Sequence, residues 1–143
     1  MAPDRVRREA DVSEPTYSAA ASVSRATVGL MSRYTGRGPT KARTTLNTNF
    51  ALVVLEDTLT KGERSLVAAG ESEAVRRQRD TFHRVMRDEV IAAVEEITRR
   101  RVRACLNDIT PEDGIAVLVF LFDAVPEVGG VAVANADVTV SDG

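Results

Sequence analysis

Three cations and two glycines lie within ten residues of this chain, in the segment YTGRGPTKAR that runs from Tyr34 to Arg43. Glycine lets the backbone turn tightly, and amides grouped with cationic side chains are suited to holding a small anion. We therefore predict a ligand- or partner-binding site here, formed by Arg37, Gly38, Thr40, Lys41 and Arg43. A second interpretation is structural: the turn ends a helix, and the cations keep an exposed edge strand from pairing with other sheets.

A phosphate-binding P-loop is a poor description of this segment. A P-loop needs Gly-Lys-Ser/Thr at the start of a helix that follows a strand. Here Lys41 follows Thr40, and the segment leads from a helical pattern into a strand pattern. The sequence therefore does not support nucleotide binding through this turn.

Side chains suited to catalysis are few in this chain. His83 is the only histidine and Cys105 the only cysteine, so the pairs needed for a zinc site or a redox cycle within one chain are missing. Among the paired carboxylates, Glu56 and Asp57 alone follow an apolar strand directly, and the sequence brings no third ligand to them. We predict no catalytic residue, no metal, no cofactor and no enzymatic activity. An enzyme using Glu56, Asp57 and His83 is the least favoured alternative.

The composition limits the class of protein further. The 143 residues carry 19 cations and 21 anions, and this balance argues against a general nucleic-acid binder. The single cysteine excludes an intramolecular disulfide, as expected in a reducing compartment. No apolar run approaches the roughly 20 residues that span a bilayer, and the charged N-terminus lacks the apolar core of a signal peptide. We expect a cytoplasmic protein without direct membrane insertion.

Hydrophobic periodicity predicts seven elements in a single domain over residues 17–123. They are a helix over 17–34, strands over 41–47 and 50–55, helices over 59–69 and 72–100, a strand beginning at Val102, and a strand over 115–122. The polar residues 1–16 are predicted to be a disordered N-terminal tail. Residues 124–143, rich in Ala, Val, Gly and Asp, are predicted to be a flexible C-terminal tail.

Local sequence patterns predict three details of these elements. Thr60 and Glu63 have the spacing of a capping box at the start of the second helix. Arg99–Arg101 are expected in the last turn of the third helix, where cations suit the negative end of the helix dipole. Strict alternation from Val102 places Cys105 on the polar side of its strand and Leu106 on the apolar side.

The order of elements predicts an α+β fold. Each of the two predicted hairpins has one half-exposed strand and one continuously apolar strand. The apolar strands should lie in the centre of one four-stranded antiparallel sheet, with the half-exposed strands at its edges and helices on one face. If Phe50, Leu52, Leu118 or Phe120 make the other face apolar, a second copy of the chain is its simplest cover. We therefore predict a homodimer.

The chain also resembles a bacterial family named for MpsC, a component of a sodium-translocating, membrane-potential-generating system. The resemblance rests on the segment from Tyr34 to Arg43, on LVVLE from Leu52, on Leu59-Thr-Lys61 with Glu63-Arg64, and on Asp108 ahead of the last apolar strand. It covers roughly residues 17–123. Glu56-Asp57-Thr58 departs from the glycines that relatives tend to have after the first hairpin, and the resemblance supplies no catalytic residues.

The resemblance implies a non-enzymatic accessory or regulatory domain, peripheral to the inner face of the membrane, with membrane ion-translocating subunits as partners. The segment from Arg37 to Arg43 is the expected contact surface of such a domain, with Lys41 and Arg43 projecting from an edge strand. The alternative is a cytoplasmic sensor that binds a small anion or metabolite at the Gly-Arg-Gly-Pro-Thr-Lys turn.

Overall fold

The computed structural model describes residues 18–124, in which helices and strands follow the order α-β-β-α-α-β-β. The elements are α1 Ala19–Thr35, β1 Lys41–Leu46, β2 Phe50–Glu56, α2 Lys61–Ala68, α3 Ser72–Thr98, β3 Val102–Thr110 and β4 Ile115–Phe122. Each predicted helix and strand is present, with ends that differ by a few residues. The tails predicted over 1–16 and 124–143 lie outside the described residues, except for Ala124.

The four strands form one antiparallel sheet in the order β1-β2-β4-β3. Both continuously apolar strands, β2 and β4, are central, as predicted. Leu52 of β2 lies opposite Val119 of β4, and the half-exposed strands β1 and β3 form the edges. The predicted α+β fold is therefore confirmed.

Helices α1 and α3 cover one face of the sheet and enclose the core. Alternate residues of the central strands point toward these helices, since side chains of a strand alternate between the two faces. The buried apolar side chains of this core are Val23, Leu30, Met31, Ala51, Val53, Leu55, Met86, Val90, Val94, Leu118, Phe120 and Phe122. Leu118 and Phe120, which were expected on the other face as candidates for dimer contacts, lie in this core. That expectation was wrong for these two residues because, in the alternation of β4, both point toward the helices.

The opposite face of the sheet is apolar along its centre, and no other element of residues 18–124 packs on it. It is formed by the alternate residues of the central strands, Phe50, Leu52, Val54, Val117, Val119 and Leu121, with Leu106 of β3 beside them. We call this surface the open face. The Leu106 side chain is 55% exposed.

Helix ends follow local capping chemistry. At the start of α2, Thr60 accepts a hydrogen bond from the Glu63 amide while the Glu63 carboxylate accepts one from the Thr60 amide, so the predicted capping box is confirmed. Helix α3 ends at Thr98, and Arg99 takes the left-handed conformation with φ 60°. Arg99–Arg101 therefore lie beyond the last turn and not within it, contrary to the prediction.

A β-bulge near the start of β3 changes which residues face the core. Val102 pairs with Phe122, but Ala104 pairs with Leu121, so Arg103 is an extra residue in the ladder. Beyond this point the alternation is reversed: Cys105 packs against the core and Leu106 points outward. The predicted orientation of these two residues was wrong because an extra residue shifts a period of two by one step.

Candidate functional site

The glycine-containing turn after α1 is built by its backbone and by close packing. Gly36 ends the helix in the left-handed conformation, with φ 85°, which glycine adopts without steric cost. Gly38 lies so close to α1 that an added Cβ would approach Val28 to 3.2 Å. Pro39 is buried. The turn is therefore fixed against its own helix.

Arg37 is held by the loop that follows β2. Its guanidinium donates hydrogen bonds to the carbonyl oxygens of Asp57, at 2.6 Å, and Leu59, at 3.0 Å, and to the Asp57 carboxylate at 2.8 Å. The Thr40 hydroxyl donates to the same carboxylate at 2.9 Å. Hydrogen bonds from Arg37 and Thr40 lower the pKa of Asp57, which stays ionised near neutral pH. Two of the predicted anion-binding groups thus have a carboxylate of the chain itself as partner.

Lys41 and Arg43 lie in a different environment from Arg37. Both are on the edge strand β1, separated by one residue and therefore on the same side of the strand, and both are exposed. The Arg43 side chain is 77% exposed and reaches Glu56 only at 3.7 Å. An ion pair this exposed contributes little energy, so Arg43 is available to a partner.

The five predicted site residues therefore belong to two groups. Arg37, Gly38 and Thr40 shape and anchor the turn, and Lys41 and Arg43 present two positive charges at the sheet edge beside it. We call Lys41 and Arg43 the edge cations. The arrangement is suited to electrostatic contact with an acidic surface.

The residues considered for catalysis are separated by their contacts. Asp57 bonds to Arg37 and Thr40, whereas the Nε2 atom of His83 lies 4.0 Å from the sulfur of Cys105 on β3. Within residues 18–124, no group of three or more His, Cys, Asp or Glu side chains is placed to hold a metal ion. Burial and the nearby charge of Arg87 lower the pKa of His83, so its ring is neutral at pH 7.

Burial raises the pKa of the Cys105 thiol to about 11. At pH 8 this leaves about a hundredfold less thiolate than an ordinary cysteine has, and thiolate is the reactive form. We expect the folded chain to react with a disulfide reagent such as DTNB about a hundredfold more slowly than the urea-unfolded chain. Stopped-flow absorbance at pH 8 measures both rates on the same single thiol, and equal rates would contradict the buried placement.

Among residues 18–124, the most buried charged groups are Glu63 of α2 and Arg79 of α3, whose side chains are 2% and 6% exposed. Arg79 donates from Nε at 2.9 Å and from Nη2 at 2.7 Å to the two carboxylate oxygens, and Nη2 also donates to the Thr58 carbonyl. The Glu63 carboxylate also accepts from the Thr60 amide and from the Gln78 side chain. This pair joins α2, α3 and the loop after β2.

The position of Arg79 in the sequence already indicates that it is buried and needs a partner. Arg79 lies four residues after Val75 and seven before Met86, both buried, so it falls on the apolar stripe of α3. A cation on an apolar stripe needs a buried partner, since an unpaired charge is costly away from water. Glu63 was recognised only as a capping residue, which is one of its two roles.

The comparisons with known proteins give one match. A family model described as "Na+-translocating membrane potential-generating system (MpsC)" matches residues 17–124. No match was found among the curated proteins or among the solved structures. A search of residues 18–124 for a helix of sufficient length and apolar character to cross a membrane finds none.

Proposed function

Because this chain belongs to the MpsC family, we propose that it is a non-enzymatic accessory or regulatory domain of a Na+-translocating, membrane-potential-generating system. The observation that carries the proposal is the extent of the family match, which includes every described helix and strand. In this role the domain acts at the cytoplasmic side of the membrane, and ions pass through other subunits. Its task is to contact those subunits and not to make or break bonds.

The edge cations are the proposed contact surface for the membrane partner. Lys41 and Arg43 are exposed on a strand whose outer edge pairs with no other strand in the described residues. The neighbouring turn is held in place by Arg37 and Asp57, so the two charges are presented from a fixed framework. The partner surface that fits them is acidic, because complementary charge speeds encounter and fixes orientation.

We expect a Lys41→Ala/Arg43→Ala variant to recover at least tenfold less membrane partner than the parent chain in a pull-down from native membranes. The loss follows from removal of both charges at the proposed interface. Recovery by the parent chain should also fall as salt is raised, since exposed charges are screened. Quantitative mass spectrometry of proteins captured on a tagged copy provides the measurement.

A Lys61→Ala/Arg77→Ala variant is the matched control, because it removes two exposed cations from the helices. It should recover as much partner as the parent chain. Recovery of no membrane protein by the parent chain, or equal recovery by both double variants, argues against the proposed surface. Aggregation of the Lys41→Ala/Arg43→Ala variant with unchanged capture would favour the other interpretation, in which these cations only protect the sheet edge.

Binding of a small anion or metabolite at the same turn is the alternative function. An anion there would have to compete with the Asp57 carboxylate for Arg37 and Thr40. Lys41 and the amides near Gly38 are the donors that remain outside this contact. An ordered anion at Gly38–Lys41 in a crystal would favour the sensor over the accessory domain.

We further propose that the domain is a homodimer that buries its open face. The six half-buried apolar residues of β2 and β4 form a continuous strip, and Leu106 extends it across β3. A large exposed apolar patch marks an interaction surface, because leaving it in water is unfavourable. A second copy is a matching occupant, since a surface of this kind is self-complementary about a twofold axis.

A further inference from the structure

A small cavity lies between the helices and the sheet, away from the edge cations. Its volume is about 40 Å³. Most of its lining is apolar, with Met31 from α1, Phe82 and Met86 from α3, and Leu55 and Leu118 from the sheet. Arg79, whose carboxylate partner is Glu63, also lines it.

Arg79, which lines this cavity, has an unused hydrogen-bond donor. Its Nε and Nη2 atoms are bonded to Glu63 and Thr58, but Nη1 is buried and has no partner among the described residues. Buried polar groups almost always have a hydrogen-bond partner, so an unsatisfied one calls for an acceptor. Because the side chain is 94% buried and held on its other nitrogens, this donor has a fixed position.

A surface groove lies next to the cavity on the β3 side. This groove of about 270 Å³ lies between strand β3 and the first turns of helix α3. Its lining includes Arg76, Arg77 and Asp80. The groove and the cavity share Asn107, Asp108 and Ile109 in their linings. The groove therefore adjoins the cavity on this side of the protein.

From this geometry we propose that the cavity is a binding site for a small uncharged molecule with one carbonyl-type acceptor on an apolar body. The acceptor takes the hydrogen bond of Arg79 Nη1, and the body packs against Met31, Met86 and the apolar side chains beside them. This proposal goes beyond the accessory role and does not depend on it.

Size and charge define the class of ligand. A water molecule needs roughly 10–15 Å³ of such volume, so a cavity of 40 Å³ suits a molecule of about three or four heavy atoms. The charge of Arg79 is already balanced by Glu63, so the site offers a donor with little net positive charge. A strongly hydrated anion would lose its water on entering an apolar cavity, and an uncharged acceptor avoids that cost.

Three isosteric probes can test the proposal on the full chain. Acetone has an uncharged carbonyl acceptor, isobutene has the same planar branched shape without an acceptor, and acetate has the shape with a negative charge. Carbon-13 labelling of methionine methyl groups places reporters at Met31 and Met86, both in the lining. We expect acetone to shift both methyl resonances and to bind about tenfold more tightly than either other probe. Isobutene offers no acceptor to the Arg79 donor, and acetate would lose its hydration on entering the cavity.

Filling the cavity gives a second measurement without altering Arg79. Ala116 lines the cavity and lies on β4, where a β-branched side chain is well tolerated. The Ala116→Val variant should abolish the acetone shifts. The matched Ala42→Val variant adds the same carbons at a half-buried position of β1 outside the lining and should keep them.

Any other result with the three probes or with the Ala116→Val variant would overturn the proposal. Shifts of equal size with isobutene would identify an apolar void in which the Arg79 donor plays no part. Tighter binding of acetate would identify an anion site. The absence of shifts with all three probes, or acetone shifts that persist in Ala116→Val, would show that this cavity binds no carbonyl compound.

Discussion

The Glu63→Ala variant is expected to unfold with a free energy about 3–5 kcal/mol lower than that of the parent chain, because removal of one partner leaves a buried charge uncompensated. Arg79 would keep its hydrogen bond to the Thr58 carbonyl but would lose both bonds to carboxylate oxygens. The Thr60 amide would also lose its capping acceptor. Urea denaturation followed by circular dichroism measures the change.

Two further variants separate the buried pair from general effects of substitution. Glu73→Ala removes an exposed carboxylate of α3 whose contact with Arg76 is 4.0 Å long, and it should change stability by less than about 0.5 kcal/mol. The Glu63→Leu/Arg79→Met variant replaces both charges by apolar groups and should be more stable than Glu63→Ala. If Glu63→Ala is as stable as the parent chain, the contact between Glu63 and Arg79 does not stabilise the fold.

The same pair gives stability a defined dependence on pH. Burial alone would raise the pKa of the Glu63 carboxyl, but hydrogen bonds from Arg79 and from the Thr60 amide outweigh burial and hold the pKa below its usual value. A lowered folded-state pKa means that this stabilisation is fully present above the unfolded-state pKa of about 4.3 and is lost as pH falls through the folded-state pKa. The stability difference between the parent chain and Glu63→Gln should therefore shrink as pH falls below about 4.

The second large effect is expected at the open face, where Leu106→Lys should weaken dimerisation about a hundredfold. Leu106 lies opposite Val119, which also lies opposite Leu52, so the three form one apolar row across the sheet. A lysine in the proposed interface has to bury its charge or keep the two copies apart, and either costs about 3 kcal/mol. Sedimentation velocity over a range of concentrations gives the dissociation constant.

Val85→Lys is the matched control for this variant. Val85 is 61% exposed on α3 and Leu106 is 55% exposed on β3, so both substitutions place a lysine where an exposed apolar side chain stood. Only Leu106 belongs to the open face, and the control should dimerise like the parent chain. A parent chain that sediments as a single species of 15.4 kDa at micromolar concentration would refute the dimer.

Much of this fold could be predicted because its signals are local. The continuous apolar runs of β2 and β4 distinguish central strands from the alternating β1, and turn residues such as Gly114, with φ 66°, separate the strands. The capping box at Thr60 needs only a spacing of three residues. Signals of this kind depend on neighbouring side chains and not on the assembled fold.

The features that were missed depend on contacts between distant parts of the chain. Arg37 contacts Asp57, which lies twenty residues further along the chain, and only the pairing of β1 with β2 brings the two together. Asp57 itself has a positive φ of 56°, which its residue type tolerates but does not require. The turn that ends α1 could be located from its glycines, while the separation of its anchoring residues from the edge cations became visible only in three dimensions.

The extra residue in β3 has a consequence for how the two surfaces of this sheet can evolve. Because Arg103 stands outside the pairing ladder, the side chains beyond it face the interior or the exterior according to their partners on β4, and not according to the count of residues before them. Loss of that one residue would leave a regular ladder in which Ala104 directly follows Val102, so Leu106 would still point outward and Cys105 inward. A deletion at this point can therefore shorten the strand without moving any side chain between the two surfaces, so a lineage can lose this residue while both surfaces keep their contents.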